Sequence, residues 1–377
     1  MRLARVAGSV ASAVGLAWVA RAVRGLPTAL GAGPAEIEPT ALGKSSYRDG
    51  RFHNTEPSSM VAPGAAPSLL WSGITKGRVG RPSRPVPLVT PAPPEQAATL
   101  AVTWYGHASA LVELDGYRVL ADPVWSERVS PSPAIGPARL HPLPGDPAAV
   151  PTVDAVIISH DHYDHLDKPT VDQLVRDQRA PFVVPTGIGA HLRRWGVPED
   201  RIIELDWGGS VSLGKDADDR GLTITCAEAR HFSGRGLIRN TTLWASWALA
   251  GPTKRVYFGG DTGYTKAFAQ AGAVLGPFDL TLLPIGAYDE RWTDVHMNPE
   301  EAVRAHADLC LGDPAHGLLV PIHWATFNLA FHGWSEPVRR LIEAAAEAGT
   351  RTVVPKPGER VVPNDLPPRV SWWEDVE

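Results

Sequence analysis

The segment VIISHDHYDHLD, residues 156–167, places three histidines and three aspartates directly after a short apolar run. In an extended loop, histidines two apart can bind one metal ion, and a carboxylate with the next histidine can bind a second ion nearby. Nitrogen and oxygen ligands without cysteine suit zinc, and manganese and iron are alternatives. An exposed polar loop without ligands is the other interpretation, but the His-x-His-x-Asp-His spacing straight after a buried strand favours a metal site.

Three further residues of ligand type also follow predicted strands. His231 comes after LTITCAEAR, Asp261 after RVYFGG and His323 after GLLVPI. Ligand sites of open α/β sheets lie beyond the carboxyl ends of the strands, so these residues meet the histidine loop if the strands lie side by side. An aspartate can bridge two metals, and paired metals about 3.5–4 Å apart lower the pKa of a shared water molecule. We therefore expect two metal ions with a bridging water or hydroxide.

From about residue 98 onward the chain alternates between strand-like and helix-like patterns. TLAVTWYG and SALVELDGYRVLAD predict strands, and Asp115-Gly116 predicts a hairpin turn. Further strands are predicted at 154–159, 181–185, 222–229, 242–250, 255–260, 279–286 and 317–322. DKPTVDQLVRDQ, NPEEAVRAHADL and SEPVRRLIEAAAEAG predict helices, because each has a proline in its first turn. This pattern predicts a layered α/β domain with many strands.

Composition limits the classes of function. With 377 residues, 44% of them hydrophobic, the chain can bury one large core. The formal net charge is −5 and no lysine- or arginine-rich block is present, which argues against a nucleic-acid partner. Cys226 and Cys310 lie far apart and in no ligand spacing, so we expect two reduced, buried thiols.

The first hundred residues differ in character from the rest. The 15 residues 6–20, VAGSVASAVGLAWVA, are apolar and flanked by arginines, but they are short for a spanning helix of about 20 residues. Residues 1–24 are interpreted as an interfacial helix, a signal or anchor segment, or an extension without a role. Residues 25–98 predict a Pro/Gly-rich, loop-rich arm, followed by the main domain at 99–360 and a tail at 361–377. Localisation is open between the bacterial cytoplasm and a membrane surface.

The loop SHDHYDHLD resembles the metal loop of the metallo-β-lactamase-fold hydrolases. The resemblance narrows to the N-acylphosphatidylethanolamine phospholipase D-like branch on the stretches TWYGHAS, ADPVWSERVSPS, IIELDW, LWASW, GGDTGY, GPFDLTLLPIGAY, HMNPEEAVRAH and IHWATF. These stretches run from about Thr103 to Phe327, and ADPVWSERVSPS with GPFDLTLLPIGAY is the part most specific to the branch. The resemblance implies a four-layer αββα sandwich with a dinuclear zinc site at one edge.

The same resemblance assigns the ligands. One zinc ion would be held by His160, His162 and His231, the other by Asp164, His165 and His323, and Asp261 would bridge the two. An aspartate at the bridge is typical of the phosphodiesterases and lactonases of this superfamily, whereas the lactamases with a cysteine there differ. Asp164, Asp261 and His296 are therefore expected to take part in catalysis.

Three residues outside the ligand set, His296, His107 and Asp122, resemble family positions near the site, and Tyr288 is a further candidate. His296 is expected to donate a proton to the substrate phosphate or to contact it, with a loop histidine as the alternative. His107 in YGHAS is expected to face the substrate or to support the site. Tyr288 would contact the substrate or pack as an aromatic residue. Asp122 in LADPVW is expected to hydrogen-bond a ligating histidine, or else to form a turn before proline.

The resemblance implies a zinc-dependent phosphodiesterase that hydrolyses N-acylphosphatidylethanolamine or a similar phospholipid to phosphatidic acid and an N-acylethanolamine. The alternative is a phosphorylated-sugar lactonase of the ascorbate-6-phosphate lactonase type, or another metal-dependent hydrolase. The alternative outside the enzymes is a metal-binding or scaffolding protein that keeps the site but catalyses no reaction. The apolar N-terminal segment and the tryptophans favour a lipid substrate and association with a membrane surface. The sequence leaves a homodimer open.

Overall fold

Two β-sheets and the helices packed on them form most of the structure, a computed structural model that describes residues 17–59, 77–214, 221–236, 238–366, 368 and 370–377. The strands are β1 (Tyr47–Arg48), β2 (Arg51–Phe52), β3 (Leu100–Gly106), β4 (Ser109–Leu114), β5 (Tyr117–Ala121), β6 (Ala155–Ile157), β7 (Phe182–Pro185), β8 (Ile202–Leu205), β9 (Ser210–Leu213), β10 (Leu222–Ala227), β11 (Ser246–Ala250), β12 (Arg255–Phe258), β13 (Leu280–Pro284), β14 (Leu319–Ile322) and β15 (Arg360–Val361). The α-helices after residue 25 are α1 (Leu26–Ala29), α2 (Pro34–Ala41), α3 (Lys168–Asp177), α4 (Ile188–Arg194), α5 (Ala267–Leu275), α6 (Pro299–Leu309) and α7 (Glu336–Ala348).

The predicted apolar segment at 1–24 lies mostly outside the described residues, which begin at residue 17. Residues 17–23 are helical. Within the described part of the chain, no helix is long and apolar enough to cross a lipid bilayer. The predicted arm at 25–98 contains α1, α2 and the small hairpin of β1 and β2.

The first sheet has the strand order β15-β3-β4-β5-β6-β7-β8. β3, β4 and β5 form an antiparallel meander. The predicted hairpin turn between β4 and β5 is confirmed, because Asp115 and Gly116 have the positive φ angles, 48° and 89°, that such a turn requires. From β5 to β8 the strands are parallel, so β5 and β6 end at the same edge of the sheet.

The second sheet has the strand order β14-β13-β12-β11-β10-β9. β9 to β12 pair in antiparallel fashion, whereas β12, β13 and β14 are parallel. The parallel strands end side by side, and the loops that follow them lie at the same end of the domain as the loops after β5 and β6.

Burial between and around the sheets explains the layered arrangement. One apolar core fills the space between the sheets and includes Val102 and Val112 of the first sheet with Ile224 and Leu282 of the second, all without exposed surface. A second core joins the first sheet to α3 and α4, while residues of α6 and α7 pack on the second sheet. The order helix, sheet, sheet, helix is the predicted four-layer αββα sandwich.

Two local features differ from the sequence patterns. The strand predicted at 242–250 is only β11, because the preceding residues leave the sheet: Leu243 N–H donates to Thr186 O at 2.9 Å and Ala245 N–H to Ser159 O at 2.8 Å. α5 was not predicted because its sequence, AFAQAGAVL, has no polar face. Its Gly272 allows a close approach to α6, since a Cβ there would lie 2.3 Å from Asp308 O.

Candidate metal centre

Side chains of metal-ligand type from both sheets meet at the edge where the parallel strands end. The seven predicted ligands are His160, His162, Asp164 and His165 in the loop after β6 of the first sheet, and His231, Asp261 and His323 after β10, β12 and β14 of the second. Gly260 lets the two sets approach: its φ is +58°, and a Cβ there would lie 2.4 Å from the Ser159 Cβ. The structure therefore brings all seven residues together.

Three histidines form one group of donor atoms. His160 Nε2 lies 2.8 Å from His162 Nδ1, and His231 Nε2 lies 3.3 Å from the same His162 atom. His160 and His231 are fully buried, and His162 is partly exposed. Three nitrogen donors that converge in this way can serve one cation.

A second group surrounds the Asp164 carboxylate, and Asp261 lies between the two groups. Asp164 Oδ2 is 3.4 Å from His323 Nε2 and 3.6 Å from His165 Nε2. Asp261 Oδ2 is 3.1 Å from His323 Nε2 and 3.3 Å from His165 Nε2. The same oxygen is 3.8 Å from His231 Nε2 and 3.9 Å from His160 Nε2. One carboxylate oxygen thus reaches both groups, as the predicted bridging ligand requires.

Buried donor atoms at the centre fit a cation. The Nε2 atoms of His165 and His323, and Oδ1 of Asp261, are buried and make no well-formed hydrogen bond with any described residue. Burial alone would lower the pKa of His323, but Asp261 and Asp164 raise it to about 9. Burial would also lower the pKa of His165, yet the carboxylates around it hold that pKa well above its ordinary value. Protons on these two rings balance the carboxylates, and a metal ion would take their place.

Asp122, predicted to support the ligands, lies directly behind His165. It is fully buried, and its Oδ2 is 2.6 Å from His165 Nδ1. Ser159 donates to it twice, from its N–H at 2.7 Å and from its hydroxyl at 2.5 Å. The contact keeps a proton on His165 Nδ1, whether or not a metal is bound, and turns its Nε2 towards the centre.

The N-terminal arm supplies a supporting residue that sequence reasoning missed. Asn54 donates from Nδ2 to His231 O at 2.8 Å and accepts at Oδ1 from His231 N–H at 3.1 Å. Trp244 Nε1 also donates to Asn54 Oδ1 at 2.9 Å. The ring of His231 is fixed separately, because its Nδ1 donates to Val295 O at 2.8 Å. No local pattern in the arm marks Asn54, since its partner lies 177 residues away.

His107 lies behind Asp164 instead of facing an open cavity. Its side chain is buried, and its Nε2 is 2.9 Å from Asp164 Oδ2. Its carbonyl oxygen accepts from His323 N–H at 2.9 Å, which fixes the ligand backbone. Burial lowers the pKa of His107 to about 3, so its ring is neutral. This placement gives His107 a supporting contact with a ligand, one of its two expected roles.

Backbone strain is concentrated at the same place. His107, Asp122, His323 and Ala325 all have positive φ angles, between 38° and 62°. For residues with a side chain, each such angle costs about 1 kcal/mol or more and persists only where the surroundings enforce it. The tryptophan that follows His323, Trp324, stacks on Trp104 with ring centroids 5.9 Å apart.

Two cavities meet at His296. The metal-facing cavity, about 290 Å³, has His162, Asp164, Asp261 and His323 on one side and Phe232, Arg239, Trp292, Val295 and Leu329 among its other lining residues. The polar cavity, about 690 Å³, lies between Tyr288, Arg291 and Glu301 on one side and Phe331, Glu336 and Arg340 on the other. His296 belongs to both and is 14% exposed, and its Nδ1 is 3.9 Å from Asp261 Oδ2. Burial lowers the pKa of His296 to about 4, so the ring is neutral at pH 7 and can offer a hydrogen bond.

Tyr288 lies in the polar cavity and not in the metal-facing one. Its hydroxyl donates to Glu336 Oε1 at 2.7 Å, and its ring stacks on His332 with centroids 4.7 Å apart.

Cys226 and Cys310 are free and buried, as expected, and neither lies among the candidate ligands.

Comparison with known proteins agrees with this architecture. Residues 117–324 match the family model described as a beta-lactamase superfamily domain, and the chain belongs to this superfamily of metal-dependent hydrolases. The solved structure of an isothiocyanate hydrolase from Delia radicum gut bacteria is similar to this protein, with a TM-score of 0.53 and 21% sequence identity. The match covers 98% of the hydrolase and 70% of the present chain. That likeness shows the fold alone.

Two relatives have a higher sequence identity to this chain. An uncharacterized protein of Mycobacterium tuberculosis is 54% identical over 375 residues, which is 99% of either chain. The N-acyl-phosphatidylethanolamine-hydrolyzing phospholipase D 1 of Caenorhabditis elegans is 38% identical over 238 residues, 61% of this chain and 65% of the relative. The match to the nematode enzyme is a partial one, in agreement with the predicted branch.

Proposed function

We propose that this protein is a dinuclear zinc phosphodiesterase of the phospholipase D type, acting on N-acylphosphatidylethanolamine or a similar phospholipid. The observation that carries the proposal is the position of Asp261 Oδ2, within 4 Å of histidine nitrogens from both donor groups. The first zinc ion would be held by His160, His162 and His231. Asp164, His165 and His323 would hold the other.

The chemistry divides between the ions and the chain. When bound, two zinc ions lower the pKa of a water molecule and stabilise negative charge on phosphoryl oxygens. Water adds its oxygen to phosphorus, the bond from phosphorus to the alcohol oxygen breaks, and the alcohol leaves with a proton from the water. Neutral His296, between the two cavities, donates a hydrogen bond to the phosphate. Arg239, which lines the metal-facing cavity, adds a positive charge for the same anion.

The walls of the metal-facing cavity support a lipid-bearing substrate. Phe232, Trp292 and Leu329 place apolar surface beside the ligands. Apolar walls around a few polar groups are typical of sites that bury most of a ligand. The relationship to the nematode phospholipase, named for hydrolysis of N-acylphosphatidylethanolamine, supports the same substrate class.

Product analysis by mass spectrometry tests the proposal. Zinc-loaded protein is incubated with N-acylphosphatidylethanolamine in mixed micelles, beside Asp261→Ala and the matched control Asp154→Ala. Asp154 is exposed and lies at the other end of β6 from the histidine loop. We expect phosphatidic acid and N-acylethanolamine from the wild type and the control. Asp261→Ala should give neither product and should hold less zinc.

Each other outcome has a definite meaning. Full activity of Asp261→Ala would refute the bridging role. Hydrolysis of bis-p-nitrophenyl phosphate without cleavage of the lipid would retain the phosphodiesterase and reject this lipid. Cleavage of a phosphorylated sugar lactone, offered in parallel, with no phosphodiester cleaved at all, would replace the proposal with the lactonase.

A further inference from the structure

A buried arginine outside the ligand set holds the histidine loop at two points. Arg235 lies four residues after His231 and is only 5% exposed. Its Nη1 donates to Asp161 O at 2.8 Å and to Leu166 O at 2.7 Å. These two carbonyl groups lie directly before and directly after residues 162–165, which contain three of the predicted ligands. One guanidinium group therefore fixes the two ends of that stretch relative to each other.

The histidine loop needs such a donor because residues 159–167 belong to no helix or strand. Buried carbonyl groups in irregular backbone must find partners outside regular structure. A second contact from the same segment fixes the Asp161 side chain, since Gly234 N–H donates to its Oδ1 at 2.7 Å. In return, Tyr163 donates from its hydroxyl to Arg235 O at 2.6 Å, and its ring centroid lies 4.2 Å from the guanidinium carbon. The segment after His231 is thus tied to the loop from both sides.

The other side of the guanidinium group contacts the N-terminal arm. Its Nε and Nη2 donate to Ala29 O at 3.1 and 2.9 Å. The Trp195 ring lies 5.0 Å from the guanidinium carbon, and its Nε1 donates to Thr28 O at 2.7 Å. The N–H groups of a guanidinium point in fixed directions. A shift of the arm at Ala29 would therefore also move the donor that holds the loop.

A histidine on α4 makes a second link between the arm and the loop. His191 Nδ1 accepts the Ala32 N–H at 2.9 Å, which places the ring proton on Nε2, 3.5 Å from Asp161 Oδ2. The arm packs closely here, because Gly31 has a φ of +75° and a Cβ there would lie 2.3 Å from His191 Nδ1. Residues 29–32 of the arm thus contact both side chains, Arg235 and His191, that hold Asp161.

We propose that Arg235 is a positioning residue through which the N-terminal arm orders the histidine loop for metal binding. Arg235 acts on the loop through backbone carbonyl groups, so its role is separate from that of the ligands. The inference rests on the metal centre of the proposed function and is independent of the substrate. Displacement of residues 29–32 should then lower zinc affinity while the two sheets keep their structure.

A substitution in the arm tests this coupling without changing Arg235. Gly31→Ala places a Cβ against His191 and should lift the arm. Gly43→Ala is the matched control, because its φ is +83° and a Cβ there would have no atom of the described residues within 4 Å beyond its chain neighbours. Both variants carry the strain of a positive φ, but only Gly31→Ala adds a clash. In competition with a chromophoric chelator, we expect about tenfold weaker zinc binding in Gly31→Ala and unchanged binding in Gly43→Ala.

Replacement of Arg235 by lysine tests the donor itself. Lysine keeps the charge, but its single nitrogen cannot span acceptors on both sides. Arg201→Lys is the matched control: Arg201 is also buried and donates to carbonyl groups, those of Val175 and Ala180, at the sheet edge opposite the loop. We expect zinc binding to weaken about tenfold in Arg235→Lys alone. Amide hydrogen exchange of residues 159–167, measured without metal, should also become faster in Arg235→Lys but not in Arg201→Lys.

The outcomes separate this inference from the function on which it rests. Wild-type zinc affinity in folded Arg235→Lys or in Gly31→Ala would overturn it. Equal losses in the variants and their controls would also overturn it, because they would reflect general destabilisation. If Arg235→Lys does not fold, the comparison of Gly31→Ala with Gly43→Ala decides the question. Failure of the wild-type protein to bind zinc would instead overturn the metal centre itself.

Discussion

Replacement of Asp122 by asparagine tests whether a residue outside the ligand set determines metal affinity. The side chain is fully buried, and its two oxygens accept two hydrogen bonds from Ser159 and one from His165 Nδ1, at 2.5 to 2.7 Å. The asparagine side chain would keep the shape but lose the charge, and its NH2 group would face a donor. A hydrogen bond to a charged group contributes about 1.5–3 kcal/mol. Such a loss at a metal ligand weakens metal binding about 10- to 100-fold.

The assay is competition for zinc against a chromophoric chelator at fixed pH, with thermal unfolding of the metal-free protein measured in parallel. Asp154→Asn is the matched control: Asp154 is exposed and accepts one hydrogen bond, from Arg118 N–H at 2.7 Å, far from the loop. We expect weaker zinc binding in Asp122→Asn alone. Unchanged zinc affinity in a folded Asp122→Asn protein would refute the reasoning, as would an equal loss in the control.

Three further outcomes are expected. At pH 7, zinc binding should release about two protons, because the pKa of His323 is raised to about 9 and that of His165 lies well above its ordinary value, so both rings are protonated without metal. Zinc affinity should therefore fall as the pH falls below these pKa values. Calorimetry in two buffers of different ionisation enthalpy measures the release, and a value of zero contradicts the protonation. Asn54→Ala should weaken zinc binding about tenfold through the backbone of His231, and Asn54→Asp, which keeps the acceptor, should weaken it less; equal effects would exclude the acceptor contact. Deletion of residues 1–24 should preserve hydrolysis of soluble phosphodiesters and weaken binding to anionic vesicles in sedimentation assays; unchanged vesicle binding would show that the segment is not a membrane element.

The ligand residues could be predicted from the sequence because each follows a predicted strand. His323 follows β14 directly, and the histidine loop begins just after β6. β12 and β14 run parallel in the second sheet, and β6 of the first sheet ends at the same edge of the sandwich, so the residues that follow these strands meet there.

Contacts between segments that are distant in the sequence could not be predicted from the sequence pattern. Asn54 and His231 are separated by 177 residues, and nothing in FHNTEP distinguishes that asparagine from a turn residue. Arg239 lies within the irregular loop between β10 and β11, yet lines the metal-facing cavity. His107 follows a strand as the ligands do, and only the structure shows that it is buried behind Asp164. Sequence patterns report the type and direction of an element, whereas these roles depend on tertiary packing.

The division of the ligands between the two sheets has a mechanical consequence. The group of His160, His162 and His231, like the group of Asp164, His165 and His323, draws members from both sheets, and Asp261 joins the two groups. Each bound ion would therefore cross-link the layers of the sandwich, much as a disulfide joins distant parts of a chain. Without metal, the edge of the domain that carries the ligands should be the first region to unfold. With metal bound, the same edge should be the last region to unfold, so the metal concentration determines the order of unfolding.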